Sequence, residues 1–197
     1  MKSFGFHGIH RLELLYGLTR SRDSPTLWLL SVTHHTSHIG PMQRRQSMLY
    51  ESRIYYTVPG RLTALNDRFA NHTLGFFQKH GIGVFGFWTD EIATSNKLTY
   101  ILTFDNMADR EAKWSAFQAD TGWHQVRAES EADGPIVAVV ENAFMRLTPY
   151  SPEPHITTNI QELHIYDATP GKFQDINDRF ANHTIKLFEK HGIENIA

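Results

Sequence analysis

The chain has no cysteine, which excludes disulfides, thiolate metal sites and a cysteine nucleophile. Long apolar runs are missing as well, and none approaches the roughly 18 residues that a membrane-crossing helix needs. Charge of one sign is scarce: the formal net charge is -2 over 197 residues and the pI is about 6.6. That balance gives no support for a general nucleic-acid binder. With 13 Gly and 8 Pro, the composition is neither collagenous nor that of a wholly disordered chain. No phosphate loop, G-x-S-x-G elbow or H-E-x-x-H helix occurs, and no spacing ties Ser, His and Asp into a triad. What is present is a hydrophobic share of 41%, enough for one large domain or two small ones.

Charge is distributed unevenly. Residues 1–47 hold six Lys/Arg and two acids, which leaves -6 for the remainder. This stretch has neither a helical nor a strand period, and its apolar patch Leu27–Leu30 is too short for a signal-peptide core. It is read as a disordered extension, or as sequence upstream of a start at Met48. His34, His35 and His38 put two imidazoles at i, i+4, but no carboxylate completes a metal set.

An internal repeat organises the rest. Asn66-Asp67-Arg68-Phe69-Ala70-Asn71-His72-Thr73 recurs as Asn177 to Thr184, displaced by 111 residues. At the same displacement Pro59-Gly60 matches Pro170-Gly171, and Lys79-His80-Gly81-Ile82 matches Lys190 to Ile193. Glu51, Ile54 and Tyr55 return as Glu162, Ile165 and Tyr166, so this is duplication.

In the first copy, Leu49 to Val58 alternates as a strand, with Glu51, Arg53 and Tyr55 on one side and Ser52, Ile54 and Tyr56 on the other. Ile54 is taken to face the helices, and the Glu51 side to meet a second sheet or solvent. Pro59-Gly60 marks a turn. Leu62, Leu65, Phe69, Thr73, Phe76 and His80 follow at helical spacing, and Gly81 is the stop. Val84 to Trp88 and Leu98 to Phe104 read as two strands around a polar hairpin loop. Asp105 or Asn106 caps a helix running to about Ala119, buried through Ala112, Ala116 and Phe117. Ile136 to Leu147 is the fourth strand. The order is β-α-β-β-α-β, the split βαβ pattern of an α+β domain over 48–147. Residues 148–159 form a linker. The second copy, 160–197, carries a strand at 161–166 and a helix at 172–191, then ends where a second strand is expected, so it reads as a truncated repeat.

The region from Met48 resembles the NIPSNAP family. The likeness rests on Glu51-x-Arg53-x-Tyr55 with Pro59-Gly60, Phe77-x-x-His80-Gly81-Ile82 and Gly86-Phe87-Trp88. It continues through Asn96-x-Leu98-x-Tyr100-Ile101-Leu102-x-Phe104, Arg110-x-x-x-Trp114-x-x-Phe117-x-x-Asp120 and Trp123. It implies a ferredoxin-like unit of the dimeric α/β-barrel class, with tandem units usual in the family. A homodimer or an intramolecular pseudo-dimer follows from that class. Eukaryotic members are associated with mitochondria and with membrane-traffic partners, so the compartment is expected to be cytoplasmic, or mitochondrial in a eukaryote.

Candidate cavity residues are Glu51, Arg53, Tyr55, His72, Trp88 and Tyr100. His72 stands one position off the apolar stripe and recurs as His183. A neutral imidazole there suits a general base or haem ligand, with Arg53 and Tyr55 beside it. Its plain alternative is a half-buried helix histidine. His80 is explained by the dipole of a helix end, and Trp114 and Trp123 by packing. No cofactor and no metal is assigned. The expected function is non-catalytic binding of a ligand or partner; the alternative is a small-molecule enzyme, monooxygenase-like or haem-binding, acting near His72.

Overall fold

A computed structural model describes residues 48–92 and 96–197. The expectations for residues 1–47, including the histidines at 34, 35 and 38, lie outside the described residues.

Four strands form one antiparallel sheet: β1 (Leu49–Thr57), β2 (Gly83–Thr89), β3 (Lys97–Phe104) and β4 (Val137–Met145). The order across the sheet is β2-β3-β1-β4. Helix α1, running from Leu62 to Lys79, joins β1 to β2 and skips over β3. Helices α2 (Met107–Gln118) and α3 (Thr121–Ser130) join β3 to β4 across β1. The two central strands, β1 and β3, are the most buried, and the edge strands β2 and β4 have no fully buried residue.

Helix α1 has α-helical ends, Leu62–Arg68 and Leu74–Lys79, with a π-helical turn at Phe69–Thr73 between them. The wider turn brings Phe69 and Thr73 to the buried side together with Leu65 and Phe77. Thr73 Oγ1 donates to the Arg68 carbonyl at 3.2 Å inside that turn. Gly81 ends the helix at φ 66°, while the Ile82 amide donates back to the Phe77 carbonyl at 2.9 Å. Asn106 caps α2 by accepting from the Asp109 amide at 3.0 Å.

Helix α3 stands where the sequence reads as loop. Its apolar content is confined to Trp123 and Val126, one turn's worth, so the period is too short to register. Asp120 caps it by accepting from the Gly122 amide at 2.9 Å. On α2 the inward residues are Trp114 and Phe117, and Ala112 and Ala116 are exposed.

The structure reverses the expected faces of β1. Glu51, Arg53 and Tyr55 point toward the helices, and Ile54 lies on the outward face. Cross-strand register carries this through the sheet: Arg53 sits opposite Tyr100 and Asn142, whereas Ile54 sits opposite Thr99 and Glu141. A bulge between Val84 and Gly86 in β2 turns Phe85 and Trp88 to the outward face, their rings 5.9 Å apart.

The second copy keeps its helix but not its strand. Helix α4 comprises Phe173–Arg179 and Ile185–Lys190 around a second π-helical turn, Phe180–Thr184. The segment 161–166 has no ladder; no strand among the described residues pairs with it, and a strand without partners leaves its backbone unbonded. No residue of α4 is buried. Trp88 Nε1 donates to Gln161 Oε1 at 2.8 Å, which ties this copy to the outward face of the first.

Candidate functional site

Between the sheet and the helices lies a cavity of about 380 Å³. Arg53, Tyr55 and Tyr100 rise from its sheet floor; Phe69, Thr73 and Phe77 enter from α1; Trp114, Phe117 and Trp123 enter from α2 and α3. Pro135, Ala138 and Val140, all exposed, border it on the β4 side and mark its mouth. The aromatic rings meet mostly at steep angles, as in Tyr55–Phe69 at 6.0 Å and Phe77–Phe117 at 5.2 Å. Such edge-to-face contacts hold a rigid apolar wall.

A charged network stands behind the floor. Glu51 has no exposed surface. It accepts from Arg53 Nη1 at 2.7 Å, and from Arg110 Nε and Nη2 at 2.9 and 3.0 Å. Burial pushes its carboxyl up, but the hydrogen bonds from Arg110 and Arg53 and their charges outweigh burial and hold it below the ordinary value. Arg53 spends its remaining donors on phenols, Nε to Tyr100 at 2.9 Å and Nη2 to Tyr55 at 3.2 Å. The Trp114 ring lies 4.4 Å from the Arg53 guanidinium and 5.0 Å from that of Arg110. Burial pushes the Tyr100 phenol well above its ordinary range, and neighbouring Tyr55 adds to this.

A second network closes the far wall. Arg68, buried on α1, donates from Nη1 to Glu131 at 2.9 Å and to Ser130 Oγ at 3.2 Å. Arg127 lies 3.5 Å from the other oxygen of Glu131. Arg61 grips both oxygens of Asp133 at 2.6 and 2.7 Å and so fixes the loop after α3 to α1.

Of the expected cavity residues, Arg53, Tyr55 and Tyr100 line it together, with Glu51 directly beneath Arg53. His72 does not join them. It stands exposed on the outer side of the π-helical turn, beside Thr73, which with Phe69 holds the inward positions of the stripe. Trp88 is on the opposite face of the sheet. His80 is tied through Nε2 to Asp120 at 2.8 Å, and Lys79 Nζ reaches the same oxygen at 2.6 Å.

Trp114, Trp123 and Arg68 are among the lining residues that escaped the sequence reading. Trp114 and Trp123, taken as packing, form cavity wall. Arg68 was hidden by its charge, although its position three after Leu65 and one before Phe69 puts it on the buried stripe of α1. A cation on an apolar stripe is the signal that finds it. Among the described residues no three His, Asp or Glu cluster to hold a metal ion, and no helix is long and apolar enough to cross a membrane.

The order β2-β3-β1-β4 with both crossovers on one side defines a ferredoxin-like α+β protein. The NIPSNAP family model matches residues 50–152, and the chain belongs to that family. Among solved structures, an uncharacterised NIPSNAP-like domain protein from Burkholderia xenovorans superposes with TM-score 0.50 at 16% identity. It covers 58% of this chain and 97% of its own. A NIPSNAP family protein of unknown function from Agrobacterium tumefaciens gives 0.49 at 24% identity, covering 54% and 94%. No curated protein matches the chain.

Proposed function

We propose that this chain is a non-catalytic binding protein whose ligand is a small, largely apolar molecule held between the helices and the sheet. The observation that carries this reading is the aromatic-walled cavity of about 380 Å³, within the range of small-molecule sites. The polar groups on its floor are spent on one another. Arg53 is bonded through all three nitrogens, and Tyr100 is pushed away from neutral titration. Groups that keep their protons and are bonded to one another shape a fixed floor; they do not exchange protons as acid–base catalysts do. The exposure of His72 supports the same preference. For assembly, the bond from Trp88 to Gln161 supports the intramolecular pseudo-dimer over a homodimer through that face.

The test is calorimetric titration of the full chain with an uncharged two-ring aromatic, naphthalene-2-carboxamide. Saturable one-to-one binding, abolished by Val140→Trp at the mouth and with the probe recovered unchanged, is the expected result. Absence of saturable binding, or conversion of the probe, overturns the reading.

A further inference from the structure

The charges around the cavity do not balance. Three guanidiniums that are largely buried, those of Arg53, Arg110 and Arg68, share two carboxylates, Glu51 and Glu131, and Arg127, which is exposed, adds only a screened contact to Glu131. Glu111, which is exposed, adds a contact to Arg110 at 3.3 Å, where water screens it. Arg53 has no donor nitrogen left over. Arg68 does: it is 5% exposed, it lines the cavity, and its buried Nε has no hydrogen-bond acceptor. A buried N–H of a cation without an acceptor is costly. A ligand acceptor brought into the cavity would remove that cost.

From this we infer that the cavity takes an apolar, ring-containing carboxylate, with the Arg68 Nε–H donating to the carboxylate oxygen and the aromatic walls covering the ring. The excess of guanidinium over carboxylate selects an anion over a neutral or cationic analogue. The walls Phe69, Phe77, Phe117 and Trp123 select an apolar body over a small hydrophilic anion. Glu131 competes with the ligand for Arg68, so it limits affinity. This assignment rests on the binding reading above and adds the ligand's chemical class.

The experiment compares naphthalene-2-carboxylate with naphthalene-2-carboxamide on the full chain by calorimetry. The carboxylate is expected to bind at least about tenfold more tightly, the usual advantage of a charge-assisted hydrogen bond over a neutral one. Arg68→Gln combined with Glu131→Gln, which removes one charge of each sign, should erase that preference. Glu131→Gln alone frees Arg68 and should increase the preference. If the amide binds and the carboxylate binds no better, the charge assignment fails while the cavity reading stands. If neither probe saturates, both fail. A preference that survives the double substitution, or that Glu131→Gln does not increase, also overturns the role of Arg68.

Discussion

Arg110 on α2 holds Glu51 on β1 by two hydrogen bonds at once, Nε to one carboxylate oxygen and Nη2 to the other, at 2.9 and 3.0 Å. Together with Arg53 this gives a buried carboxylate three charged donors and fastens the second crossover to the sheet. Removing the carboxylate leaves two guanidiniums facing each other without a counter-charge. Glu51→Ala should therefore destabilise the fold by about 3 kcal/mol, the scale for breaking a buried ion pair from one side. Urea unfolding of the variant against the parent checks this, and a loss under about 1 kcal/mol would mean that water reaches the pair and screens it.

The same residue sets an acid limit. Its folded-state pKa lies below the ordinary value of 4.5, so its contribution is complete above that pH and is lost as pH falls through the folded value. Asp120 behaves alike: the hydrogen bond from Lys79, then that from His80, holds it well below its ordinary 3.8. Stability attributable to these two groups should be flat from neutral pH to about 4.5 and fall below it. In Glu51→Gln the decline should start lower and be shallower. Denaturant midpoints across a pH series decide the matter; if Glu51→Gln falls as steeply as the parent below 4.5, Glu51 does not carry the acid limit.

Two glycines of one helix should respond oppositely to alanine. Gly75 lies inside α1 with open space where a Cβ would go, so Gly75→Ala should stabilise by about 0.5–1 kcal/mol through helix propensity. Gly81 stands at φ 66°, a conformation that a Cβ penalises by about 1 kcal/mol or more. Gly81→Ala should destabilise by that amount, even though Lys113 Cε at 3.5 Å leaves room for the methyl group. Melting temperatures should move up for the first and down for the second.

Apart from helix α3 and the strand expected at 161–166, element positions were legible in the sequence because turn chemistry and period agree: Pro59-Gly60, Gly81 and Asn106 bound their elements within a residue or two. The facing of β1 was not. An alternating strand gives two faces without labels, and polarity assigns Glu51 and Arg53 outward unless their partners are known. Glu51 and Arg53 pair locally, but Arg110 lies 59 residues from Glu51 along the chain and Tyr100, which accepts from Arg53, lies 47 away, so nothing local announces the partners that let the pair be buried. The same blindness moved attention to His72 and away from Arg68 in one repeated octapeptide. The π-helical turn shows downstream, where Phe77 rather than Phe76 takes the buried position, a shift that a 3.6-residue period does not register.

That octapeptide supplies its own control. Asn66 to Thr73 and Asn177 to Thr184 are identical in sequence, and both adopt an α-to-π helical path, with π turns at Phe69–Thr73 and Phe180–Thr184. Their amides therefore have closely similar intrinsic exchange rates, and any difference in protection reports the free energy of opening. Tyr166 packs on Phe180 at 5.3 Å much as Tyr55 packs on Phe69 at 6.0 Å, so the local helix–tyrosine contact is reproduced. What differs is the cover. Phe69 also meets Phe77, Phe87 and Tyr100, whereas no residue of α4 is buried. A short helix without a buried face is marginal in water. Hydrogen exchange followed by mass spectrometry should show the peptide around Phe180 exchanging at least about a hundredfold faster than the one around Phe69, the tenfold steps following 1.4 kcal/mol of opening energy each. Equal protection in the two peptides would mean that α4 is covered in solution by a surface equivalent to β3, α2 and α3, and that the second copy is a full partner in the fold.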